Sequence, residues 1–527
     1  MSATPIVSAA TAVRRPVAIT PVPLAELAQL TGARLVRKGD RQSEARAAAV
    51  PITGVTLRTA DVRRGDLFAA LPGSRAHGAD FVSVALAAGA TALLTDLAGA
   101  DRPAVAAAGV PVLLHPNPRA VLGALAASVY GDPSARLSVL GITGTSGKTT
   151  VCYLIDAGLR AAGLVTGLVG TVRTVVAGEV WDSKLTTPEA PDLQALFAIM
   201  RERGASHAVM EVSSHALALH RVAGTRFDVG AFTNLSQDHL DFHGDLERYF
   251  EAKAMLFDGR ARSEVVNVDD EWGRRLVRSG TVAVSAAGLV EPAWRAESVR
   301  PMENGGQRFV AVDPTGGRAE VTLLSPGLFM VANALLALAC LSQVGVPAHI
   351  AAPGMAGVSV PGRLQRVDVG QPYLAMVDYA HKPGAVAAVL DTLRARLAVT
   401  GRRGRLLVVL GCGGDRDAAK RPLMGAAAAS RAELLVITDD NPRTERPEAI
   451  RAAMLAGALS APPLGEVIEI GDRGAAIAAA VARAEAGDIL VVVGKGHETG
   501  QRINNVTRPF CDVDELTAAL RAREDAR

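Results

Sequence analysis

Lys148, Thr149 and Thr150 stand directly behind Gly144-Thr145-Ser146-Gly147, which itself follows the apolar run LSVLGIT (137–143) and precedes a helix-like stretch. Strand, glycine loop, Lys-Thr and helix in that order make a phosphate cradle. Glycines let backbone N–H groups approach phosphate, the helix N-terminus adds a favourable dipole, Lys148 meets the β and γ oxygens, and Thr149 offers a hydroxyl to magnesium. Ile142, rather than a glycine, lies five residues before Gly147, so the loop is shorter than the common kind. A plain glycine turn is the competing reading.

In HAVMEVSSHALALHRV (207–222) an apolar strand ends in Glu211, then Ser213, Ser214 and His215. Strand ends are where α/β folds bind ligands, and a hard cation takes oxygen ligands, so Glu211 suits magnesium beside a nucleotide. A surface glutamate and a helix-capping histidine explain the same letters. AFTNLSQDHLDFHGDLERYFEAKAMLF (231–257) packs Asp238, His239, Asp241 and His243 into six residues. That density has the look of a transition-metal site and keeps a zinc hydrolase open, although no further ligands complete a zinc shell nearby. His239 reads better as part of a magnesium site, and His243 as a satisfied loop histidine. Further on, VDYAHKPGA (377–385), GCGGDRDAAKRPLMG (411–425), TDDNPRTERPE (438–448) and VVVGKGHETGQ (491–501) each begin where an apolar strand stops. Together these clusters of Asp, Arg, His and Lys suit one cleft for a zwitterionic substrate.

The elements that must carry these residues alternate strand and helix. At 527 residues the chain is long enough for roughly three or four domains. Hydrophobic residues at 49% and charged residues at 21% exclude a disordered or fibrous chain. Aromatics at 4% and a net charge of +3 argue against a nucleic-acid or membrane partner. Cys152, Cys340, Cys412 and Cys511 lie far apart with no CxxC pair, which predicts free thiols in a reducing cytoplasm. The apolar segment 331–346 is too short to span a bilayer and reads as a buried helix. Residues 1–20 read as a disordered leader. GDLFAAL (65–71), ATALLTD (90–96) and the helix between them predict a small α/β domain over 21–135. The turn at Gly131-Asp132-Pro133-Ser134 and the Pro361-Gly362 break bound a central α/β domain over 136–361. LAMVDYA, RLLVVLG, ELLVITDD and DILVVVG, separated by crossover-length Ala-rich helices, predict a Rossmann-like domain over 362–527.

Taken in order, GTSGKTT, EVSSH, TNLSQDHLDFHG, YFEAKAMLF, PGRLQ, DYAHKP, GGDRDAAKRP, DNPR and GKGHE resemble the Mur ligase family over about residues 50 to 515. The resemblance implies three α/β domains: N-terminal for the UDP-sugar, central P-loop ATPase, and C-terminal Rossmann-like for the amino acid. It also implies a monomeric cytoplasmic enzyme of cell-wall peptidoglycan synthesis that uses ATP and magnesium. The DNPR element implies addition of meso-diaminopimelate to UDP-N-acetylmuramoyl-L-alanyl-D-glutamate through an acyl phosphate. An L-lysine-adding relative or a catalytically inactive nucleotide-binding regulator is the alternative. Carried over residue by residue, the resemblance places the catalytic and metal roles on Lys148, Thr149, Glu211, His239 and Lys253, the last as a carbamylated lysine. It places nucleotide contacts on residues 144–150, Asn333, Arg363 and Asp378, and the muramoyl dipeptide on Thr59, Thr186, Thr187, Ser213 and Arg221. Diaminopimelate falls to Arg416, Asp440, Asn441, Arg443, Gly494 and Glu498. Two departures stand out: Arg58-Thr59-Ala60 where relatives carry Asp-Ser-Arg, and Leu219 where many carry glutamine.

Overall fold

Parallel strands buried on both faces need near-continuous runs of branched apolar residues, and such runs place the sheets of this chain. A computed structural model describes residues 14–36, 41–288, 294–399, 404–504 and 506–525. It resolves into two compact units, one running up to Trp294 together with Leu336–Ala351, the other comprising Arg295–Leu335 with the chain from Ala352 onward.

Besides the antiparallel pair Val22–Pro23 with Pro51–Ile52, the first unit carries two larger sheets among its described residues. The smaller has the order Arg34–Val36, Val112–Leu114, Ala92–Thr95, Asp66–Ala69, Gly54–Thr56, parallel except for its first strand. Both strands expected from GDLFAAL and ATALLTD are present, and the helix between them starts as a 3₁₀ turn, Gly78–Phe81, before Val82–Ala87. In the larger sheet, Thr166–Val169, His207–Glu211, Ser138–Thr143, Phe227–Phe232, Ala261–Asn267 and Val282–Ser285 run parallel side by side. An antiparallel pair, Thr174–Val176 and Glu179–Trp181, extends it beyond Thr166–Val169. Helix Ala190–Glu202 serves both sheets: Ala195 and Ala198 enter the core of the small one, while Leu193, Phe197 and Met200 enter the core of the large one. Small side chains on one stripe and large ones on the other let a single helix cement two layers.

The expected leader lies outside the described residues as far as position 13. From Arg14 onward the chain is anchored rather than loose. Arg15 pairs with the buried Asp66 (Nη2 to Oδ2 2.7 Å), and Glu202 accepts from the Val17 and Ala18 N–H groups at 3.1 and 2.8 Å.

The second unit holds the antiparallel run Trp294–Pro301, Gln307–Val312, Arg318–Leu323 and a sheet of order Gln365–Val367, Leu374–Asp378, Ile489–Val493, Leu406–Cys412, Leu434–Asp439, Glu466–Glu469. All but Gln365–Val367 are parallel, as a Rossmann-like reading requires. Alternate side chains feed one core on each face: Val408 and Leu410 to one, Leu407 and Val409 to the other. The apolar segment 331–346 is helical only as far as Gln343, within helix Leu328–Gln343, whose residues up to Leu335 fall in this unit and the rest in the first; residues 331–341 are buried. The four cysteines are free. Among the described residues no helix is long and apolar enough to cross a membrane.

Under the second sheet, helices Arg473–Arg483 and Asp512–Asp525 are tied at their first residues. Arg473 Nε and Nη2 donate to the two carboxylate oxygens of Asp512 at 2.7 and 2.8 Å, with both side chains fully buried. Removing one partner of such a pair strands a buried charge, at a cost of about 3–5 kcal/mol. Asp512→Ala is therefore expected to lower the thermal unfolding midpoint by several degrees in calorimetry; an unchanged midpoint would contradict the role given to this pair.

Candidate active site

The glycine loop leaves strand Ser138–Thr143 and enters helix Lys148–Ala161, as its residue order predicts. Gly144 has φ 137°, a conformation open to glycine, and a Cβ there would lie 1.9 Å from Thr233 Oγ1. The neighbouring strand end fixes the loop: Thr233 Oγ1 donates to Ser146 O at 2.7 Å, and Ser146 N–H donates to Asn234 Oδ1 at 3.0 Å. Thr145 Oγ1 shares a 3.2 Å hydrogen bond with Tyr249 OH, whose phenol burial pushes up in pKa. Lys148 Nζ donates to the carbonyls of Gly144 and Thr145 at 2.8 and 2.9 Å. Lys253, on helix Leu246–Ala254 and 1% exposed, donates to the same Gly144 carbonyl at 2.7 Å and lies 4.4 Å over the Tyr249 ring.

Glu211 ends strand His207–Glu211 beside the loop. It is buried and accepts from Thr149 Oγ1 at 3.0 Å and from Thr171 N–H and Oγ1 at 2.7 and 3.1 Å. Thr150 is buried in the first turn of the helix. The structure thus joins Thr149 to Glu211 and Lys148 to Lys253. His239 stands a little apart. Its Nε2 meets Asp238 Oδ2 at 3.0 Å, and its ring centroid lies 4.8 Å from that of His215 and 6.1 Å from that of Tyr249.

The histidine-rich stretch stacks on itself instead of converging on a metal. His215 packs at 4.2 Å on Phe242 and 5.5 Å on His243, while His243 Nε2 bonds Ser214 Oγ at 3.0 Å. Desolvation lowers the pKa of both His215 and His243, favouring neutral rings. Among the described residues no group of three or more His, Cys, Asp or Glu side chains is arranged to hold a metal ion. The zinc-hydrolase alternative loses its footing here.

The residues assigned to the muramoyl dipeptide form a short chain of contacts. Thr187, fully buried, donates to Glu211 O at 2.8 Å and accepts from Ser213 N–H at 3.1 Å. Thr186 Oγ1 meets Thr171 Oγ1 at 3.0 Å. Arg221 pairs with Glu189 at 2.8 Å, and Glu189 also holds Arg119 of the small-sheet layer at 3.1 Å. Thr59 sits apart from this group in a 3₁₀ turn, Thr59–Asp61, whose neighbour Arg58 reaches Asp192 on helix Ala190–Glu202 at 3.1 Å.

In the second unit, the buried Asp378 closes strand Leu374–Asp378 and accepts the Leu364 and Ala380 N–H groups, both at 2.7 Å. Burial raises its pKa, while Arg363 opposes the rise. Arg363 lies 4.2 Å over the Tyr379 ring, which also packs on His381 and His497. Desolvation, with Arg363 adding to it, drives the His497 pKa down to about 4. Asn333 is buried on helix Leu328–Gln343.

Asp440, Asn441, Arg443, Gly494 and Glu498 gather at the carboxyl ends of Leu434–Asp439 and Ile489–Val493. Asn441 Nδ2 donates to Glu498 Oε2 at 2.8 Å, and Gln501 Nε2 donates to Asp440 O at 2.9 Å. Gly494, at φ 119°, lets Asp440 close in: a Cβ would lie 2.9 Å from Asp440 Oδ2. Arg443 adopts φ 53°, clamped by its N–H to Arg502 O at 3.0 Å and by Asn504 N–H to its own carbonyl at 2.6 Å. Arg416 is exposed on the loop after Leu406–Cys412; its neighbour Asp415 accepts from Thr444 Oγ1 at 2.8 Å, which ties that loop to the DNPR turn.

Several supporting residues escaped the sequence reading. Thr233, Asn234 and Tyr249 around the glycine loop, and Lys495, Gln501 and Arg502 beside Asn441, lie within or next to motifs whose other members were singled out; Thr171 lies outside them, just past the end of strand Thr166–Val169. The Gly144 environment yields a direct check. Gly144→Ala puts a methyl group into Thr233 and strains the loop by about 1–3 kcal/mol. Affinity for a non-hydrolysable ATP analogue in titration calorimetry should fall at least about tenfold, with the melting temperature lowered by a few degrees; wild-type affinity would refute the cradle as drawn.

Three successive family models cover the chain: "Mur ligase family, catalytic domain" over 51–130, "Mur ligase middle domain" over 142–341 and "Mur ligase, glutamate ligase domain" over 362–496. The chain is similar to the UDP-N-acetylmuramoyl-L-alanyl-D-glutamate--2,6-diaminopimelate ligase of Streptomyces coelicolor, 52% identical with 96% of this chain and 98% of the relative covered. Its counterpart of the same name in Corynebacterium glutamicum is 51% identical, with 90% of this chain and 92% of the relative covered. A solved structure bearing that enzyme name superposes with a TM-score of 0.68 at 30% identity, covering 96% of this chain and all of the other. With the phosphate cradle, the Glu211 strand end and the DNPR turn built as described, this chain belongs to the Mur ligase family.

Proposed function

We propose that this chain is an ATP-dependent, ADP-forming ligase of cytoplasmic peptidoglycan precursor synthesis. It adds meso-diaminopimelate to the D-glutamyl γ-carboxylate of UDP-N-acetylmuramoyl-L-alanyl-D-glutamate. The observation that carries the reading is one chain holding both a two-lysine phosphate cradle and a strand-end cluster with an arginine, an amide and a carboxylate for an amino acid. Relatives about half identical over nearly the whole length bear the corresponding enzyme name. By the same reading, segments 21–135, 136–361 and 362–527 bind the UDP-sugar, ATP and the amino acid respectively.

In the reaction an oxygen of the γ-carboxylate attacks the γ-phosphorus of ATP and ADP leaves. The diaminopimelate amine then adds to the acyl carbon, and the tetrahedral adduct expels phosphate, which carries off the carboxylate oxygen. Lys148 is read as offsetting charge as one anion approaches another, the main electrostatic demand of phosphoryl transfer. Thr187, Ser213 and Arg221 are the groups for the dipeptide, short hydroxyls and a guanidinium suited to carboxylates. Asn333, Arg363 and Asp378 are read as nucleotide contacts.

The oxygen donors of Thr149 and Glu211, 3.0 Å apart, suit a hard divalent cation. They would hold magnesium, with His239 assigned to the magnesium sites and carbamylated Lys253 to a second magnesium. Bound there, magnesium supplies charge neutralisation at the phosphates. Lys253 favours carbamylation on electrostatic grounds: its buried ammonium shares the Gly144 carbonyl with that of Lys148, and a carbamate would turn this like-charge contact into an opposite pair. ¹³C NMR under labelled bicarbonate reads that carbon directly.

Arg443 is the residue assigned to the distal carboxylate that distinguishes diaminopimelate from lysine, since guanidinium recognises carboxylate in bidentate fashion. Phosphate release with ATP, magnesium and the muramoyl dipeptide is expected to depend on meso-diaminopimelate, with L-lysine disfavoured by about 10²-fold or more in kcat/KM. Arg443→Ala should erase most of that preference. Equal use of lysine by the wild type would overturn the specificity, and no turnover with either amino acid would overturn the reading.

A further inference from the structure

Behind strand Ile489–Val493, the loop Gly494-Lys495-Gly496-His497-Glu498 contains a lysine to which the reaction above gives no task. Lys495 is completely buried, yet its neighbours are polar. Its Nζ donates to Asn441 Oδ1 and to Glu498 Oε2, both at 3.1 Å, and lies 3.9 Å from Asp440 Oδ1. Asn441 Oδ1 also accepts the Arg502 N–H at 2.9 Å. An amide oxygen accepts and an amide nitrogen donates, so these two donors fix which end of Asn441 faces Lys495. Nδ2 is thereby turned to Glu498 Oε2.

The consequence falls on Glu498. One of its oxygens, Oε2, receives two donors, Asn441 Nδ2 and Lys495 Nζ; the other, Oε1, receives none among the described residues. The Glu498 side chain is 34% exposed where that of Lys495 is not exposed at all. Charge points the same way. Asp440 and Glu498 flank the one ammonium of Lys495, and the Arg473–Asp512 pair beside them is neutral in itself, so one carboxylate around Lys495 is uncompensated.

We propose that Lys495 is a positioning residue for the amino-acid substrate: it orients Asn441 and saturates Glu498 Oε2, so that Glu498 Oε1 receives the substrate's ammonium group. The inference rests on the amino-acid-adding reading above. Lys495 touches no reacting atom and acts through Asn441 and Glu498.

Lys495→Met keeps an unbranched apolar stem and removes the donors. The expected result is a rise of about tenfold or more in KM for meso-diaminopimelate, with KM for ATP and for the muramoyl dipeptide within about twofold and kcat less affected. Placed in a Glu498→Gln background, the same substitution should add little, because the carboxylate it serves is gone; coupled residues are non-additive in this way. Lys495→Gln, a neutral donor, should fall between wild type and Lys495→Met, and it serves if the methionine variant does not fold. An unchanged KM for diaminopimelate, a parallel loss in all three KM values, or full additivity in the double variant would overturn the proposal. Wild type without diaminopimelate-dependent phosphate release would overturn both the proposal and the reading beneath it, whereas an active wild type with an unaffected Lys495→Met would overturn the proposal alone.

Discussion

The carbonyl oxygen of Gly144 accepts from two lysine ammoniums, Lys148 Nζ at 2.8 Å and Lys253 Nζ at 2.7 Å. Few arrangements concentrate so much positive charge on one neutral acceptor, and Lys253 is withdrawn from water besides. Such a site is poised for anions: a phosphate chain, or a carbamate on one of the lysines, relieves the repulsion that the protein has built in. The remaining contacts of the region keep that arrangement in place. Thr233 and Asn234 hold Ser146, Tyr249 holds Thr145, and Glu211 holds Thr149, so the loop is fixed from three neighbouring elements.

The second unit solves the opposite electrostatic problem by the same topological means. Its parallel strands also end in ligand-facing loops, but the cluster at Asp440, Asn441 and Glu498 carries more carboxylates than cations and suits an ammonium group. Lys495 within it brings that surplus from two charges to one, and the buried Arg473–Asp512 pair beneath it is neutral in itself. Arg443 then stands in a left-handed backbone conformation, held on both sides by hydrogen bonds to Arg502 and Asn504. Its guanidinium is held separately, Nη1 donating to Gly414 O at 2.5 Å, and a side chain held in this way loses less freedom on meeting a carboxylate than a mobile one.

Where function depends on residues contiguous in sequence, the sequence revealed it. GTSGKTT, the EVSSH strand end and the four clusters after apolar strands in the last third all lie where local pattern places them, because a parallel strand presents its carboxyl end to ligands whatever else surrounds it. Contacts between distant segments were not legible. Lys253 reaches Gly144 from 109 positions away, and nothing in YFEAKAMLF says which carbonyl its ammonium will meet. Likewise, the sequence reading gave no sign of the antiparallel strands between Trp294 and Leu323. The histidine-rich stretch was ambiguous for a physical reason. Metal ligation and ring stacking use the same residue types at the same spacing, and only the 4.2 Å packing of His215 on Phe242 separates them. Lys495 hid for a related reason: a lysine in a glycine loop reads as a solvated charge until burial shows otherwise.

On the proposed reading, ATP held in the two-lysine cradle activates a carboxylate by phosphorylating it. The most direct measurement follows oxygen: the muramoyl dipeptide is labelled with ¹⁸O in the γ-carboxylate of its D-glutamyl residue, turned over with ATP and meso-diaminopimelate, and the released phosphate is analysed by mass spectrometry. The account predicts one ¹⁸O atom in each phosphate released. Unlabelled phosphate would mean that water, not the carboxylate, attacks ATP, and would contradict it.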